Sequence, residues 1–158
     1  MNPAKMSFNP EKHTMFTPLN KDKYKGEYPV ICKSKWELNF CRWVDINPST
    51  LMWSSESLAV PYNDPSMVIN GKRKYRRYFP DYMMMVKDSQ GQDNIWVVEI
   101  KPWVQTKPPV KGKKKESAYI KEAKTYQTNL AKWQAAELLC KQKNWKFKIL
   151  TEKDLFKE

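Results

Sequence analysis

The apolar positions change period several times along this chain, and each change predicts an element. Over residues 35–46, Trp36, Phe40, Trp43 and Val44 recur at three- and four-residue steps, the spacing of one helix face. Ser34-Lys35-Trp36-Glu37 opens this helix as a capping box, with Ser34 at the N-cap and Glu37 at N3, and Pro48 marks its end after Asn47. Leu58-Ala59-Val60-Pro61-Tyr62 reads as a short strand that Pro61 assigns to an edge or a strand end. A loop containing Asn63, Asp64, Pro65 and Asn70-Gly71 is expected next. Residues 74–87 and 94–101 are rich in aromatic and β-branched residues and flank the turn cluster Asp88-Ser89-Gln90-Gly91-Gln92, so they read as a long hairpin. From Glu116 to Lys143 a second helical stripe runs through Tyr119, Ala123, Tyr126, Leu130, Trp133, Ala136 and Cys140, with Asn144 as its C-terminal cap. Lys146 to Leu150 alternates as a last strand, and a short helical tail follows with Asp154 and Leu155. The order is helix, strand, hairpin, helix, strand, without internal repeat. Residues 1–27 hold Pro3, Pro10, Pro18 and Gly26 and show no period. They read as an extended arm anchored by Phe8, Phe16 and Tyr24, and residues 28–158 as the folded domain.

The hairpin carries the most specific chemistry. A turn centred on Gln90 pairs residues whose numbers sum to 180, and Asp81 and Glu99 satisfy that sum. The two acids then lie directly opposite on one face, with Cβ atoms about 5 Å apart, close enough to share one divalent ion. A slip of one residue would separate them onto opposite faces. Lys101 shares the face of Glu99, two residues along. Two carboxylates supply hard oxygen ligands for magnesium, and a neighbouring lysine can orient water or neutralise charge on a phosphate transition state. The plain alternative is a surface hairpin with an exposed Glu–Lys pair. Glu37 is left with two roles by its spacing: a cap, or an acid that looks inward at the sheet.

Composition sharpens this picture. The net charge is +12 over 158 residues, and the positive charge is concentrated on either side of the acidic motif. Lys72, Arg73, Lys74, Arg76 and Arg77 lead into Asp81, and Lys107, Lys111, Lys113, Lys114 and Lys115 follow Lys101. These runs favour a polyanion, a nucleic-acid backbone, bound through its phosphates and therefore sensitive to salt. For 111–115 a solvated loop remains the alternative. The single histidine, His13, excludes histidine-based acid–base chemistry and His/Cys zinc sites. Three cysteines without C-x-x-C spacing suggest reduced thiols in a cytosol-like compartment. No run of about 18 apolar residues and no signal peptide is visible, so neither a membrane nor secretion by that route is expected.

The sequence of a helix with a glutamate, a strand carrying Pro80-Asp81, then Glu99-x-Lys101 and a helix resembles the PD-(D/E)xK nuclease superfamily. That resemblance implies an α/β fold with a mixed central sheet flanked by helices. More closely, Tyr28 to Glu37, Trp53-Ser54-Ser55-Glu56, Val60-Pro61-Tyr62, Arg76 to Asp81, Val98 to Pro102 and Lys146 to Glu152 are similar to the head completion nucleases of large contractile-tailed phages, as is Lys132-Trp133. The similarity covers roughly residues 23–156. It implies Asp81 and Glu99 as metal ligands, Lys101 as the catalytic lysine and Glu37 as the helix acid of the site, and gives Glu56 no firm role. It also implies magnesium, with manganese as a substitute; packaged DNA and not a small molecule as substrate; phage head and neck proteins as partners; and a place in the virion after assembly in the host cytoplasm. Two other functions compete: a neck protein that holds the DNA end without cutting it, and another nuclease of the superfamily, either a transposase subunit or a junction resolvase. The complete Asp81–Glu99–Lys101 set argues against the first. Against the others, a transposase subunit is expected to carry a further partner-binding domain and a resolvase to be an obligate dimer.

Overall fold

The computed structural model describes residues 9–155. Phe8, expected as an anchor, lies outside them. Strands β1 (Thr14–Phe16) and β2 (Val30–Cys32) pair with each other, and helix α1 spans Lys35–Ile46. Strands β3 (Thr50–Ser55), β6 (Tyr82–Lys87), β7 (Asp93–Ile100) and β8 (Lys146–Leu150) form the central sheet in the order β3-β6-β7-β8. The first three are antiparallel, and β8 lies parallel to β7 after the long crossover helix α2 (Glu116–Gln142), which makes the sheet mixed. Strands β4 (Val60–Ile69) and β5 (Lys72–Tyr78) form a separate hairpin, and α3 (Glu152–Leu155) is a final turn.

The β6–β7 register is the one the turn predicts: Tyr82 opposes Val98, Met83 opposes Val97 and Lys87 opposes Asp93. Alternation along these strands then sends two side-chain sets to two faces. One set, with Trp53, Tyr82, Val98 and Ile100, packs against Phe40, Cys41 and Val44 of α1 and against Tyr24. The other face carries Phe147 and Ile149, which pack with Val60, Tyr62, Tyr78 and, from α2, Trp133 and Ala136. Each face is thus covered by a helix, as a sheet with a parallel crossover requires.

Several expectations are corrected. The run 74–87 is two strands, not one: the chain bends at Phe79-Pro80-Asp81, β5 leaves for the hairpin, and β6 joins the central sheet. Pro80 has no N–H for a ladder bond, so pairing stops there. The short strand at 58–62 continues to Ile69 through the expected loop, and only Asn70-Gly71, both at positive φ, make the turn. Three strands, β1, β2 and β3, were not legible at all. On α1 the inward stripe is Phe40, Cys41, Val44 and Asp45; Trp43 is 48% exposed. Of the expected arm, the described part is folded onto the domain. Pro18 and Tyr24 are buried, Tyr24 stacks edge-on with Trp53 at 4.7 Å, and the N–H groups of Leu19 and Asn20 donate to buried Asp45 at 2.8 and 3.3 Å.

Helix α2 ends as its sequence predicts. Asn144 sits at φ 58°, its N–H donates to the Lys141 carbonyl and that of Trp145 to the Cys140 carbonyl, a Schellman arrangement. The hairpin is fastened to α2 by Asp64, which is 1% exposed. Its Oδ1 accepts from Ser66 N at 2.9 Å, Ser66 Oγ at 2.8 Å and Thr128 Oγ1 at 2.8 Å, and its Oδ2 from Arg76 Nη1 at 3.2 Å. Burial alone would raise this carboxyl, but these hydrogen bonds outweigh it and hold it below its ordinary value of 3.8. The stability it contributes is therefore complete above pH 3.8 and lost as the pH falls below that. Asp64→Ala should cost about 2–3 kcal/mol at pH 7, read from urea unfolding, and Asp64→Asn should lose less stability than the wild type between pH 5 and pH 3.

Candidate active site

Three strand ends meet at one rim of the central sheet: the last residues of β3, the first of β6 and the last of β7. Pro80 breaks the ladder just before β6, so Asp81 stands outside the strand and its carboxyl turns onto β7, where Oδ2 accepts from Ile100 N at 2.7 Å. Glu99 lies inside β7 and is 6% exposed. Its Oε2 is 3.6 Å from Lys101 Nζ, and its buried Oε1 has no hydrogen-bond partner among the described residues. Such an orphaned carboxylate oxygen is costly unless something positive approaches it.

Two further acids close on this pair. The loop before α1 and the residue after β3 are tied together by Lys33 Nζ, 3.0 Å from Glu56 Oε1. Glu56 itself takes positive φ, 50°, and its N–H donates to the Asp81 carbonyl at 2.9 Å, which fixes the end of β3 to the bend before β6. Glu37 serves the helix start: its N–H donates to Ser34 Oγ at 3.1 Å and its Oε2 accepts from Lys33 N at 2.8 Å. The capping box is therefore formed, displaced by one residue from the usual return to the cap N–H. Glu37 also lies within electrostatic reach of Asp81 and Glu99.

The electrostatics record this crowding. Burial, then the charges of Glu99 and Glu37, push the Asp81 carboxyl well above the usual range. Burial likewise raises Glu37, Glu56 and Glu99 add to it, and the Lys33 N–H and ammonium work against it. Burial would lower Lys33, but Glu56, Glu37 and Asp81 outweigh it and raise the ammonium. The Tyr78 hydroxyl is buried without a hydrogen-bond partner, and its proton is held tightly by burial and by the neighbouring charges of Glu99 and Asp81. A group of like charges held this close, with one oxygen orphaned, is suited to a cation. Among the described residues no three histidine, cysteine, aspartate or glutamate side chains form a ready ligand cage. The geometry offers the pair Asp81 and Glu99, which matches the one or two carboxylates that magnesium takes while keeping water and phosphate oxygens.

The basic runs are distributed differently from expectation. On β5 the alternation divides them: Lys72, Lys74 and Arg76 share the face of Tyr78, toward α2, while Arg73 and Arg77 point the other way, with Arg77 5.6 Å from the Phe79 ring. Lys111, Lys113, Lys114 and Lys115 lie in the exposed turn before α2, where Lys114 pairs with Glu122 at 2.6 Å. No hydrogen bond or ion pair joins either run to Asp81 or Glu99 among the described residues. Sequence reasoning missed Lys33 and Tyr78, and had noted Glu56 and Lys132 without a role. Lys33 stands immediately before the helix cap, and that adjacency to Glu37 was the available signal.

With this geometry in place, the relatives can be compared. A family model described as TnsA-like endonuclease N terminal matches residues 47–152. The chain belongs to this family. The head completion nuclease of Enterobacteria phage T4 is 39% identical over 145 residues, which cover 89% of this chain and 91% of that protein. The chain is thus a nuclease, with the mixed, helix-flanked sheet of the PD-(D/E)xK fold. The matched span of this TnsA-like domain contains Glu56, Asp81, Glu99 and Lys101 and leaves Glu37 to the segment before it.

Glu37 is where cap and charge are separable by experiment. Glu37→Gln retains a capping oxygen at N3 and removes the negative charge. Cleavage should fall by about tenfold or more at saturating magnesium, with the melting temperature unchanged or raised. Turnover equal to wild type would leave Glu37 as a cap only.

Proposed function

We propose that this chain is a magnesium-dependent deoxyribonuclease of phage head completion, hydrolysing phosphodiester bonds of packaged double-stranded DNA before head and tail join. The observation that carries the hydrolytic part is Glu99: a buried carboxylate with one oxygen orphaned among the described residues, within reach of the Asp81 charge and beside Lys101. Asp81 and Glu99 would hold the ion, with Glu37 supporting them. When bound, magnesium polarises a phosphate oxygen and lowers the pKa of a coordinated water.

The chain's own residues do the rest. The Ile100 N–H fixes the orientation of the Asp81 carboxyl. Lys101 Nζ, held toward Glu99, orients the attacking water or neutralises charge on the non-bridging oxygens. Lys33 offsets part of the negative charge of Glu56, Glu37 and Asp81, so that four acids can remain together near a polyanion. Val97, which shares the face of Glu99 and is fully buried, excludes water beside it. The name of the T4 relative supports the assignment to head completion, and with it a location at the virion's head–neck region, assembly in the host cytoplasm, and head or neck proteins as neighbours.

The test is incubation of the purified chain with linear and covalently closed circular DNA in magnesium, manganese or EDTA. Cleavage with either metal and none in EDTA is expected, and cutting of the circle would identify internal cleavage. Retention of DNA without cleavage under every condition would instead indicate a protein that only holds the DNA end.

A further inference from the structure

We propose that the groove between the β4–β5 hairpin and α2 is a second, phosphate-binding site, which seats one strand's sugar–phosphate backbone and leads it toward the acid pair. This rests on the nuclease reading above and adds a substrate track to it. The groove has a volume of about 450 Å³ and is lined by Asp64, Ser66 and Arg76 from the hairpin and by one face of α2. A space of that size encloses one or two nucleotides of a strand, whose further phosphates lie along the exposed face of α2.

The α2 face is a stripe. Ser117, Lys121, Lys124, Thr125, Thr128 and Lys132 all line the groove, and their spacing places them on a single side of the helix. From Lys121 to Lys132 the helix rises about 16 Å, close to five base steps at about 3.4 Å along one strand. Lysines alternating with hydroxyls suit a row of phosphates, which take charge and hydrogen bonds together. Lys121, Lys124 and Lys132 form no ion pair among the described residues.

The one acid in the groove does not oppose this use. Both oxygens of Asp64 are occupied, by Ser66, Thr128 and Arg76, so it acts as a strut that aims Arg76. Arg76 contacts Asp64 and Met67 Sδ through Nη1, each at 3.2 Å, which leaves Nη2 and Nε to grip a phosphate. With Asp64 paired to Arg76, the exposed Lys121 and Lys124 leave the groove positive.

Lys132 joins the groove to the acids. Its Nζ lies 6.0 Å from the Tyr62 ring centre and 5.7 Å from that of Tyr78, whose hydroxyl stands beside Glu99. Burial lowers its ammonium, on which the charges of Glu99 and Lys101 as well as those of Arg76 and Asp64 act. A strand lying along α2 past Lys132 therefore arrives at Glu99 and Lys101.

The experiment uses the full chain in EDTA, with a 30-base-pair duplex and the same sequence as a single strand, titrated at several salt concentrations. Lys121 and Lys124 are exposed, so Lys121→Gln/Lys124→Gln should leave the melting temperature unchanged. It should weaken binding of both DNAs by about tenfold near 0.1 M salt and flatten the salt slope by up to about two phosphate contacts. Lys121→Arg/Lys124→Arg should restore both, and with metal present the glutamine pair should raise KM more than it lowers kcat. Unchanged affinity and slope in the glutamine pair would overturn the proposal and leave a solvated helix face. Loss confined to the duplex would overturn the single-strand seat. A wild type that binds through these lysines and never cleaves with metal would overturn the nuclease reading while leaving the groove.

Discussion

Asp81→Asn should abolish cleavage, by on the order of 10³-fold or more, and at the same time raise the melting temperature of the ion-free protein. Asparagine can keep the hydrogen bond from Ile100 N, so the bend before β6 should persist. What it removes is a charge that burial, Glu99 and Glu37 all disfavour. Each kcal/mol of repulsion relieved should appear as about 2–4 °C in a chain of this size. The opposite signs distinguish this from ordinary damage, since a substitution that harms the fold lowers both activity and melting temperature. Differential scanning calorimetry in EDTA, with a cleavage assay in magnesium, measures the two together. Activity near wild type would remove Asp81 from the chemistry; a lowered melting temperature would show that its charge is compensated in the folded state.

Lys101→Ala should cut turnover by about 10²-fold or more while changing DNA affinity little. Its ammonium is 3.6 Å from Glu99 Oε2, so it is aimed at the acid pair and not at the groove along α2. A group that meets charge developing on the phosphate contributes to the transition state more than to the bound ground state. Gel-shift titration in EDTA and single-turnover cleavage in magnesium separate the two effects. Equal losses of binding and rate would make Lys101 a phosphate anchor. Losing one partner of a half-buried pair also leaves Glu99 more exposed to its like-charged neighbours, so the alanine variant should melt somewhat earlier, in contrast to Asp81→Asn.

The odd Cys32–Cys41 juxtaposition belongs to the core and not to this chemistry. The two sulfurs are 3.5 Å apart, both are buried, and Cys41 contacts the Tyr82 hydroxyl at 3.3 Å. Cys140 is likewise a buried free thiol.

Local interactions explain what was legible in the sequence. The limits of α1 and α2, the Ser34 cap and the Asn144 terminus follow from hydrogen bonds within a few residues. The pairing of β6 with β7 follows from a short turn and a period of two, so the register from Tyr82–Val98 to Lys87–Asp93 could be computed from residue numbers alone, while Pro80 leaves Asp81 just outside it. Lys101 followed from the same alternation. The two basic runs were visible, but a list of charges does not state which face each side chain takes.

Only the tertiary structure decided the rest. Whether 74–87 is one strand or two depends on which sheet receives each half, and that is set by α2 covering β4 and β5 as well as by Pro80. β1, β2 and β3 carry little periodicity of their own and are strands because each finds a partner distant in sequence. Lys33 and Glu56 are 23 residues apart, and Asp64 of β4 accepts from Arg76 of β5 and from Thr128 of α2. Glu37 was undecided for the same reason: its cap is made by its own turn, but its approach to the other acids depends on folding that brings the start of α1 over a sheet rim built from residues 19 to 62 positions further along the chain.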